Sequence, residues 1–307
     1  MTSPAPTALA RTLVTELFDD AALFPPAKAP MEAALGLHVL AARSSWGFAQ
    51  GRFLVPAGAL DTLVTERRHL EFLSPLAIGI IVGSPADPDA SSPLDDVLTG
   101  AGRVTHADRA LTVELVEYRP ADQTATGIAY AAQQLAEVAT GLGAAAFVEV
   151  AVAGADAADV PARVGALHGM GVGAKVRCGG LDAAMVPTPD ALAQFVAACV
   201  QTDLPFKATA GLHHALSASD GDRRFGYLNL LVATVLAHRG VDLATIAETL
   251  VLDHVRATPD GLHLNGHDVT RVDVAAARSR FVAFGTCSFT EPLADLRGIP
   301  GMTTEDR

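Results

Sequence analysis

The sequence contains few aromatic, basic and cysteine residues. Of its 307 residues 5% are aromatic, and 22 Lys or Arg stand against 34 Asp or Glu, which gives a formal net charge of −12. Basic residues form no run longer than isolated pairs. Nucleic acid and anionic membranes are therefore excluded as expected partners, because both attract cationic surfaces.

The three cysteines, Cys178, Cys199 and Cys287, lie far apart, and no C-x-x-C motif is present. This pattern argues against disulfides and a structural zinc site, and it fits free thiols in a reducing compartment. The first residues lack the basic-then-apolar pattern of a signal peptide, and no apolar run approaches the roughly 18 residues that cross a bilayer. We therefore expect a cytoplasmic protein.

Short apolar runs recur along the chain, and half of the residues are hydrophobic. Continuously apolar strands of this length are typical of a parallel sheet covered on both faces. The runs are GRFLVP (51–56), LAIGIIVG (76–83), LTVELVEY (111–118), AAFVEVAV (145–152), GAKVRC (173–178), LPFKATA (204–210), ETLVLDHV (248–255) and SRFVAFGT (279–286). The seventh run is the weakest, and it is equally compatible with a helix end followed by a hairpin.

Alanine-rich helical segments separate most of these runs. Thr188 and Pro189, for example, have the residue types of an N-cap and a first helical position. Eight β-α steps predict a (β/α)8 TIM-type barrel. An open doubly wound sheet is the alternative, but no nucleotide-binding glycine motif follows the first strand. We expect one domain, with an N-terminal helical extension (1–45), the barrel (46–298) and a tail (299–307).

Charged residues interrupt three neighbouring strands on the face opposite their apolar residues. Alternation along a strand predicts that Glu149, Lys175, Arg177 and Lys207 point into the barrel, with Thr209 on the face of Lys207. One interpretation is a buried ion-pair network. The other is an anion pocket with a reactive amine, because three cations face one evident carboxylate.

Lys207 has the features of a reactive amine. A lysine in an apolar setting beside another cation loses its proton more readily, and the neutral amine can form a Schiff base. The segment FKATAG resembles the strand-six lysine segment of deoxyribose-phosphate aldolase over about seven residues. The resemblance implies a class I aldolase-type barrel, with Lys207 as the Schiff-base amine. In that family the second lysine follows on the next strand, whereas Lys175 here precedes Lys207.

The loop after this lysine contains His213 and His214. Gly211 can turn the chain at the strand end, which would place a histidine at the barrel mouth for general acid-base catalysis. Local hydrogen bonding within the loop is the alternative. The ten histidines are scattered and no H-E-x-x-H motif is present. We therefore predict neither a metal nor another cofactor.

Glycines and a helix start suggest anion contacts at the same end of the barrel. Gly179, Gly180 and Gly285 would allow a ligand to approach the backbone, and Ser288 with Glu291 forms a Ser-x-x-Glu capping box. Cys178 and Cys287 have no base nearby in the sequence and are interpreted as bystanders. The loop containing Gly221, Arg223 and Arg224 is a candidate lid.

Together these features predict an enzyme that acts on a small anionic carbonyl compound, as an aldolase-like lyase or an isomerase. The predicted catalytic residues are Lys207, Lys175, Glu149 and His213. The predicted substrate-binding residues are Arg177, Thr209, Gly179, Gly180, His214, Gly285 and Ser288. Two alternatives use the same pocket: an isomerase or hydrolase, with or without metal, in which Lys207 polarises the substrate, and a non-catalytic barrel that binds an acidic metabolite or a protein. Homo-oligomer formation is left open.

Overall fold

The computed structural model describes residues 5–69, 75–83, 94–154, 159–180, 182–218, 225–264 and 266–304. The strands are β1 (Phe18–Asp20), β2 (Gln50–Pro56), β3 (Leu76–Val82), β4 (Leu111–Tyr118), β5 (Ala145–Glu149), β6 (Gly173–Arg177), β7 (Phe206–Thr209), β8 (Arg256–Thr258), β9 (Gly261–Leu264), β10 (His267–Thr270) and β11 (Phe281–Thr286). The helices are α1 (Ala8–Val14), α2 (Met31–Ala42), α3 (Leu60–His69), α4 (Leu94–Ala107), α5 (Ala125–Leu142), α6 (Val160–Gly165), α7 (Pro189–Gln201), α8 (Tyr227–His238), α9 (Leu243–Thr249), α10 (Arg271–Arg278) and α11 (Thr290–Gly298).

Eight of these strands form a closed parallel barrel. Their order around the barrel is β1, β2, β3, β4, β5, β6, β7 and β11, with β11 pairing back to β1. Helices lie between successive strands, as right-handed β-α connections require. The predicted (β/α)8 barrel is confirmed, and the alternative open sheet is wrong.

The first barrel strand lies inside the segment that was predicted to be a helical extension. Residues 1–45 contribute Phe18–Asp20, which pairs with β2 and β11 and closes the barrel. Only three residues long, this strand lies between two helical patterns and gives no alternating signal of its own. The assignment of 51–56 as strand one is therefore wrong, and each later predicted strand up to 204–210 moves one position along the barrel.

The predicted seventh strand at 248–255 is also wrong. Its beginning is the end of α9, and the chain then forms a small antiparallel sheet in the order β10, β9, β8 outside the barrel. The alternative interpretation, a helix end followed by a hairpin, is the correct one. Helix and strand compete in such short apolar runs because periodicity alone does not separate them.

Successive side chains along each strand point alternately to the outside and to the inside of the barrel, and each face has its own apolar region. Residues facing outward, such as Val148, Val176 and Phe206, belong to the main core between strands and helices. Inside the barrel a separate apolar cluster combines Ala21, Leu54, Ile81 and Leu115, with Phe24 packed against it. The interior is therefore apolar around β2 and β3, and β4 to β7 together with Asp19 of β1 carry the charged residues described below.

Helix starts follow local capping chemistry. Thr188 Oγ1 accepts a hydrogen bond from the amide N of Ala191 at 3.2 Å, which confirms the predicted start of α7. Ser288 Oγ accepts from the amide N of Glu291 at 3.3 Å, but α11 begins at Thr290. The Ser288 amide donates instead to Thr286 Oγ1, so the two-way capping box does not form.

One stretch, Ala183–Gln201, has the length and composition of a membrane-spanning helix. Half of its most apolar window is buried in the protein, and α7, which it contains, contacts α6, α8 and α9. These are the features of a core helix, which meets the same criteria of length and hydropathy.

Candidate functional site

Five charged side chains inside the barrel form a continuous series of ion pairs, here called the barrel ion chain: Asp19, Lys207, Glu117, Lys175 and Glu149. Lys207 Nζ contacts the Asp19 carboxylate and lies 2.6 Å from Glu117 Oε1. Lys175 Nζ lies 2.7 Å from Glu117 Oε2 and 3.1 Å from Glu149 Oε2. Acidic and basic residues alternate along the barrel ion chain, with Glu117 between the two lysines.

The strand register explains why these side chains meet. Glu149, Lys175 and Lys207 are paired in one row across β5, β6 and β7, and side chains in one row share a face. Lys207 Nζ lies over the ring of Phe147, 5.6 Å from its centroid. The predicted inward orientation of these three residues is confirmed.

The barrel ion chain is almost fully removed from solvent. No member of it is more than 6% exposed, and Asp19 and Lys207 are at 0% and 1%. Unpaired charges at such depth are very unfavourable, so each group depends on the opposite charge beside it. The expected ratio of three cations to one carboxylate is wrong, because Asp19 and Glu117 add carboxylates that the sequence interpretation did not place inside.

These contacts set the protonation states. Burial raises the pKa of Glu117, but the charges of Lys175 and Lys207 outweigh this effect and bring it down to about 2. Burial likewise opposes ionisation of Glu149, whose pKa is nevertheless lowered by Lys175, Arg177 and Arg119. Burial favours a neutral Lys175, yet Glu117 and Glu149 raise its pKa above the usual value. Lys175 is therefore an ammonium in the resting protein.

Two arginines continue the barrel ion chain to the barrel mouth. Arg119 Nε lies 3.3 Å and Arg177 Nε 3.6 Å from the same oxygen, Glu149 Oε1. Their side chains are 36% and 27% exposed. Among the described residues, Arg177 Nε has no hydrogen-bond partner. Two guanidinium groups thus share one carboxylate oxygen at the carboxyl end of the strands, and the unpaired Arg177 Nε is itself buried.

At the opposite end, the barrel ion chain continues into a pair of partly exposed residues. Arg52 Nε lies 2.9 Å from Glu114 Oε2, and Arg52 Nη1 lies 4.0 Å from Asp19 Oδ1. The amide N of Arg52 donates to Asp19 Oδ1 at 2.8 Å. A Cβ at Gly51 would lie 2.2 Å from the same oxygen, so only glycine fits beside the Asp19 carboxylate.

The glycines after β6 and β7 make close backbone contacts. A Cβ at Gly179 would lie 2.8 Å from Gly211 Cα, and Gly211 has φ +74°. A Cβ at Gly180 would meet the Met185 side chain. The observed close approach of Gly179 is therefore to another loop of this chain, and a ligand contact at Gly179 or Gly180 stays a prediction.

Thr209 and Gly285 lie side by side at the mouth. A Cβ at Gly285 would lie 3.3 Å from Thr209 Oγ1 and 3.3 Å from Leu54 Cδ1. Gly285 is paired with Thr209 in the strand register, and Thr209 is paired with Arg177. The structure thus brings Thr209, Gly285 and Arg177 to one rim, and their contact with a substrate stays a prediction.

Both histidines contact acidic residues of α11. His214 Nδ1 lies 2.8 Å from Asp295 Oδ2, and His213 Nδ1 lies 3.5 Å from Glu291 Oε2. These contacts attach the loop after β7 to the helix after β11, and they are not the bonds within the loop that the alternative interpretation expected. A catalytic role for His213 and a binding role for His214 and Ser288 stay predictions.

The cysteines differ in their surroundings. Cys178 is buried, and burial raises the pKa of its thiol to about 12. Cys287 is half-buried, with Sγ 3.7 Å from His213 Nδ1, so the structure supplies the nearby base that the sequence did not show. Its pKa is still raised, first by burial and then by Glu291, so the thiol is protonated near neutral pH.

Other clefts lie outside the barrel. One of about 250 Å³ involves Asp61, Asp96 and Arg103 near the starts of α3 and α4. Another of about 350 Å³ lies between α1 and the β8–β9 hairpin, beside Arg271. Neither is lined by the barrel ion chain, and the charged residues make the barrel mouth the candidate site. In the described part of the chain, no group of three His, Cys, Asp or Glu is arranged to hold a metal ion.

Gly221, Arg223 and Arg224, the predicted lid, lie outside the described residues.

Comparison with known proteins gives a structural neighbour and no family. No protein-family model matches the sequence, and no curated protein matches it. Among solved structures, the deoxyribose phosphate aldolase from Aeropyrum pernix, described as a tetramer, superposes with a TM-score of 0.52 at 13% identity. The match covers 95% of this chain and 99% of that one. The chain thus shares the TIM-barrel fold of this neighbour.

Proposed function

We propose that the protein is an enzyme acting on a small anionic carbonyl compound, as an aldolase-type lyase or an isomerase, at the carboxyl end of the barrel. The observation that carries this proposal is the barrel ion chain, which leads from buried lysines to two partly exposed arginines. Active sites of TIM-barrel enzymes lie at this end of the strands.

The anionic group of the substrate is held by Arg177 and Arg119. Their guanidinium groups share a single oxygen of Glu149, and their side chains are 36% and 27% exposed. A carboxylate or phosphate would accept hydrogen bonds from these guanidinium groups, since guanidinium binds both anions with two parallel hydrogen bonds. Arg119 was not among the predicted site residues.

The carbonyl group is placed at Lys175. Lys175 contacts Glu149, which in turn contacts both arginines, whereas Lys207 contacts Asp19 and Glu117 on the far side. The assignment of Lys207 as the amine remains untested, and this order of contacts favours Lys175. The structure places Lys175 on the sixth barrel strand and Lys207 on the seventh, which is the strand order of the two lysines in the resembling family.

Two chemical roles are open to Lys175. As a neutral amine, after transfer of its proton to a carboxylate or water, it would add to the carbonyl carbon, and the resulting carbinolamine would lose the carbonyl oxygen as water to give the imine. As an ammonium it would instead stabilise the charge that develops on the carbonyl oxygen during enolate formation. Its raised pKa favours the second role in the resting protein.

Borohydride reduction separates the two roles. Incubation with a panel of small aldehydes and keto acids, reduction and peptide mass analysis should add mass at Lys175 if an imine forms. The yield should rise with pH throughout the alkaline range, because the pKa of Lys175 is raised and its ammonium must lose a proton first. Labelling at Lys207 would support the assignment from the sequence. Turnover without any adduct would identify the ammonium mechanism.

The arginine contribution is tested separately. Arg177→Ala should weaken binding of an anionic substrate far more than it lowers the free energy of unfolding, because its side chain is partly exposed. Severe unfolding with unchanged affinity would identify Arg177 as a structural ion-pair partner of Glu149. Ligand binding without turnover by the wild-type protein would favour the non-catalytic alternative.

A further inference from the structure

The barrel interior has a charged half and an apolar half that meet along one line. Ile81 on β3 is paired in register with Glu117 on β4, and both face inward. Leu54 and Leu115 lie at the level of Gly79, next to Ile81 along the strands. The apolar cluster therefore directly adjoins the carboxylate that holds the two lysines.

The apolar half extends to the barrel mouth. Phe24 lies in the loop after β1, and such a loop emerges at the carboxyl end of a parallel strand. It is half-buried and packs against Ala21, Leu54, Ile81 and Leu115. These five side chains present carbon alone, so they satisfy no hydroxyl group of a ligand.

A ligand bound across both halves must match this division. Its anionic group meets Arg177 and Arg119, and its carbonyl meets Lys175. The remainder then lies beside Ile81 and Phe24. Hydroxyl groups there would lose their hydrogen bonds to water without replacement, whereas methylene groups would be transferred out of water favourably.

We propose that the substrate is a short aliphatic keto acid or aldehyde acid, with its hydrocarbon end against the apolar cluster, and not a polyhydroxylated sugar derivative. This inference rests on the proposed function, because it uses the same anion and carbonyl positions. It adds Ile81 and Phe24 as residues that determine specificity.

The test compares two ligands with the same reactive groups. 2-Oxopentanoate and 4,5-dihydroxy-2-oxopentanoate share the carboxylate and the keto group and differ in two hydroxyls. Titration calorimetry with the full chain should show at least about tenfold tighter binding of 2-oxopentanoate, the order of discrimination that an apolar pocket achieves. Calorimetry detects binding whether or not an imine forms.

Variants locate the source of the preference. Phe24→Ser should reduce the preference for 2-oxopentanoate severalfold, and Ile81→Thr, which keeps the branched shape, should do the same if Phe24→Ser fails to fold. Leu23→Ser is the matched control, because Leu23 is the neighbouring half-buried residue but packs against the main core. It should leave the preference unchanged.

The outcomes distinguish this inference from the proposed function. Equal or tighter binding of the dihydroxy compound, weakened by Arg177→Ala, would overturn the apolar assignment and leave the proposed function standing. Preferential binding of 2-oxopentanoate without turnover or adduct would support the inference and count against the enzyme. Binding of neither compound would overturn both.

Discussion

At the scale of single residues, Glu117 joins the two lysines of the barrel interior. It contacts two lysines within 2.7 Å and is 2% exposed. A buried carboxylate in this position does not add stability in proportion to its contacts, because its desolvation offsets much of the attraction. Its removal is the damaging event, since it takes away a carboxylate that both lysine side chains contact.

We therefore expect Glu117→Gln to lower the free energy of unfolding by about 3–5 kcal/mol, the usual cost of breaking a buried ion pair. Glu114→Gln on the same strand is the matched control. Glu114 pairs with Arg52 but is 40% exposed, so its removal should cost at most about 1 kcal/mol. Urea denaturation of both variants measures the difference, and equal losses would contradict a special role for Glu117.

At the scale of elements, β4 contains an irregularity that determines the site. Ile78 pairs with Val113 and Gly79 with Leu115, so β4 has one extra residue between them. Such a bulge reverses the facing of every later residue on the strand. It brings Glu117 and Arg119 to the interior, whereas strict alternation from Leu111 and Val113 would have placed them outside.

Glycine substitutions test how closely β1 and β2 pack. Gly51→Ala should displace the Asp19 carboxylate from Lys207 and lower the free energy of unfolding by about 2 kcal/mol or more, as overpacking does. Gly36→Ala in α2 is the control, because a Cβ there meets no atom within 4 Å. It should stabilise the helix by about 0.5–1 kcal/mol. Thermal unfolding of the two variants should show shifts of opposite sign.

Asn229 on α8 joins the loop after β7 to the end of α9. Its Oδ1 accepts from the amide N of Ser217 at 2.9 Å, and its Nδ2 donates to the carbonyls of Thr249 and Leu252 at 2.8 Å each. Asn229→Leu should cost about 3 kcal/mol or more, because it leaves three buried backbone groups unpaired. Loss of amide-exchange protection in both joined segments is the measurement, and unchanged protection would show that the loop is held by other contacts.

At the scale of the whole molecule, the buried charges make stability depend on pH. The pKa of Glu117 falls from 4.5 to about 2 on folding. A carboxyl with a lowered pKa stabilises the folded state above its unfolded value and loses that contribution as pH falls. The difference amounts to about 3 kcal/mol.

We therefore expect the free energy of unfolding to fall between about pH 4.5 and pH 2, and Glu117→Gln to remove part of this slope. Lys175 behaves in the opposite sense, because its pKa is raised on folding. Its contribution is present below about pH 10.5 and is lost as pH rises further. Urea midpoints across the acid range measure the first effect, and a wild-type slope retained in Glu117→Gln would contradict it.

The sequence by itself determined the repeating β-α architecture and the inward facing of Glu149, Lys175 and Lys207. Both follow from local patterns, since strand length and two-residue alternation are properties of neighbouring residues. It determined less about β1, because three residues between helical segments carry no periodic signal. It also left helix and strand unresolved at 248–255.

Only the tertiary structure decided which charges face these lysines. Asp19 lies 188 positions from Lys207 in the chain, and closure of the barrel between β1 and β11 brings the two together. Glu117 faces inward because of a bulge that no residue pattern announces. The raised pKa of Lys175 depends on Glu117 and Glu149 together, and Glu117 comes from a strand that the sequence interpretation did not connect to this lysine. Local patterns orient a side chain, whereas the charge beside it is set by contacts between distant strands.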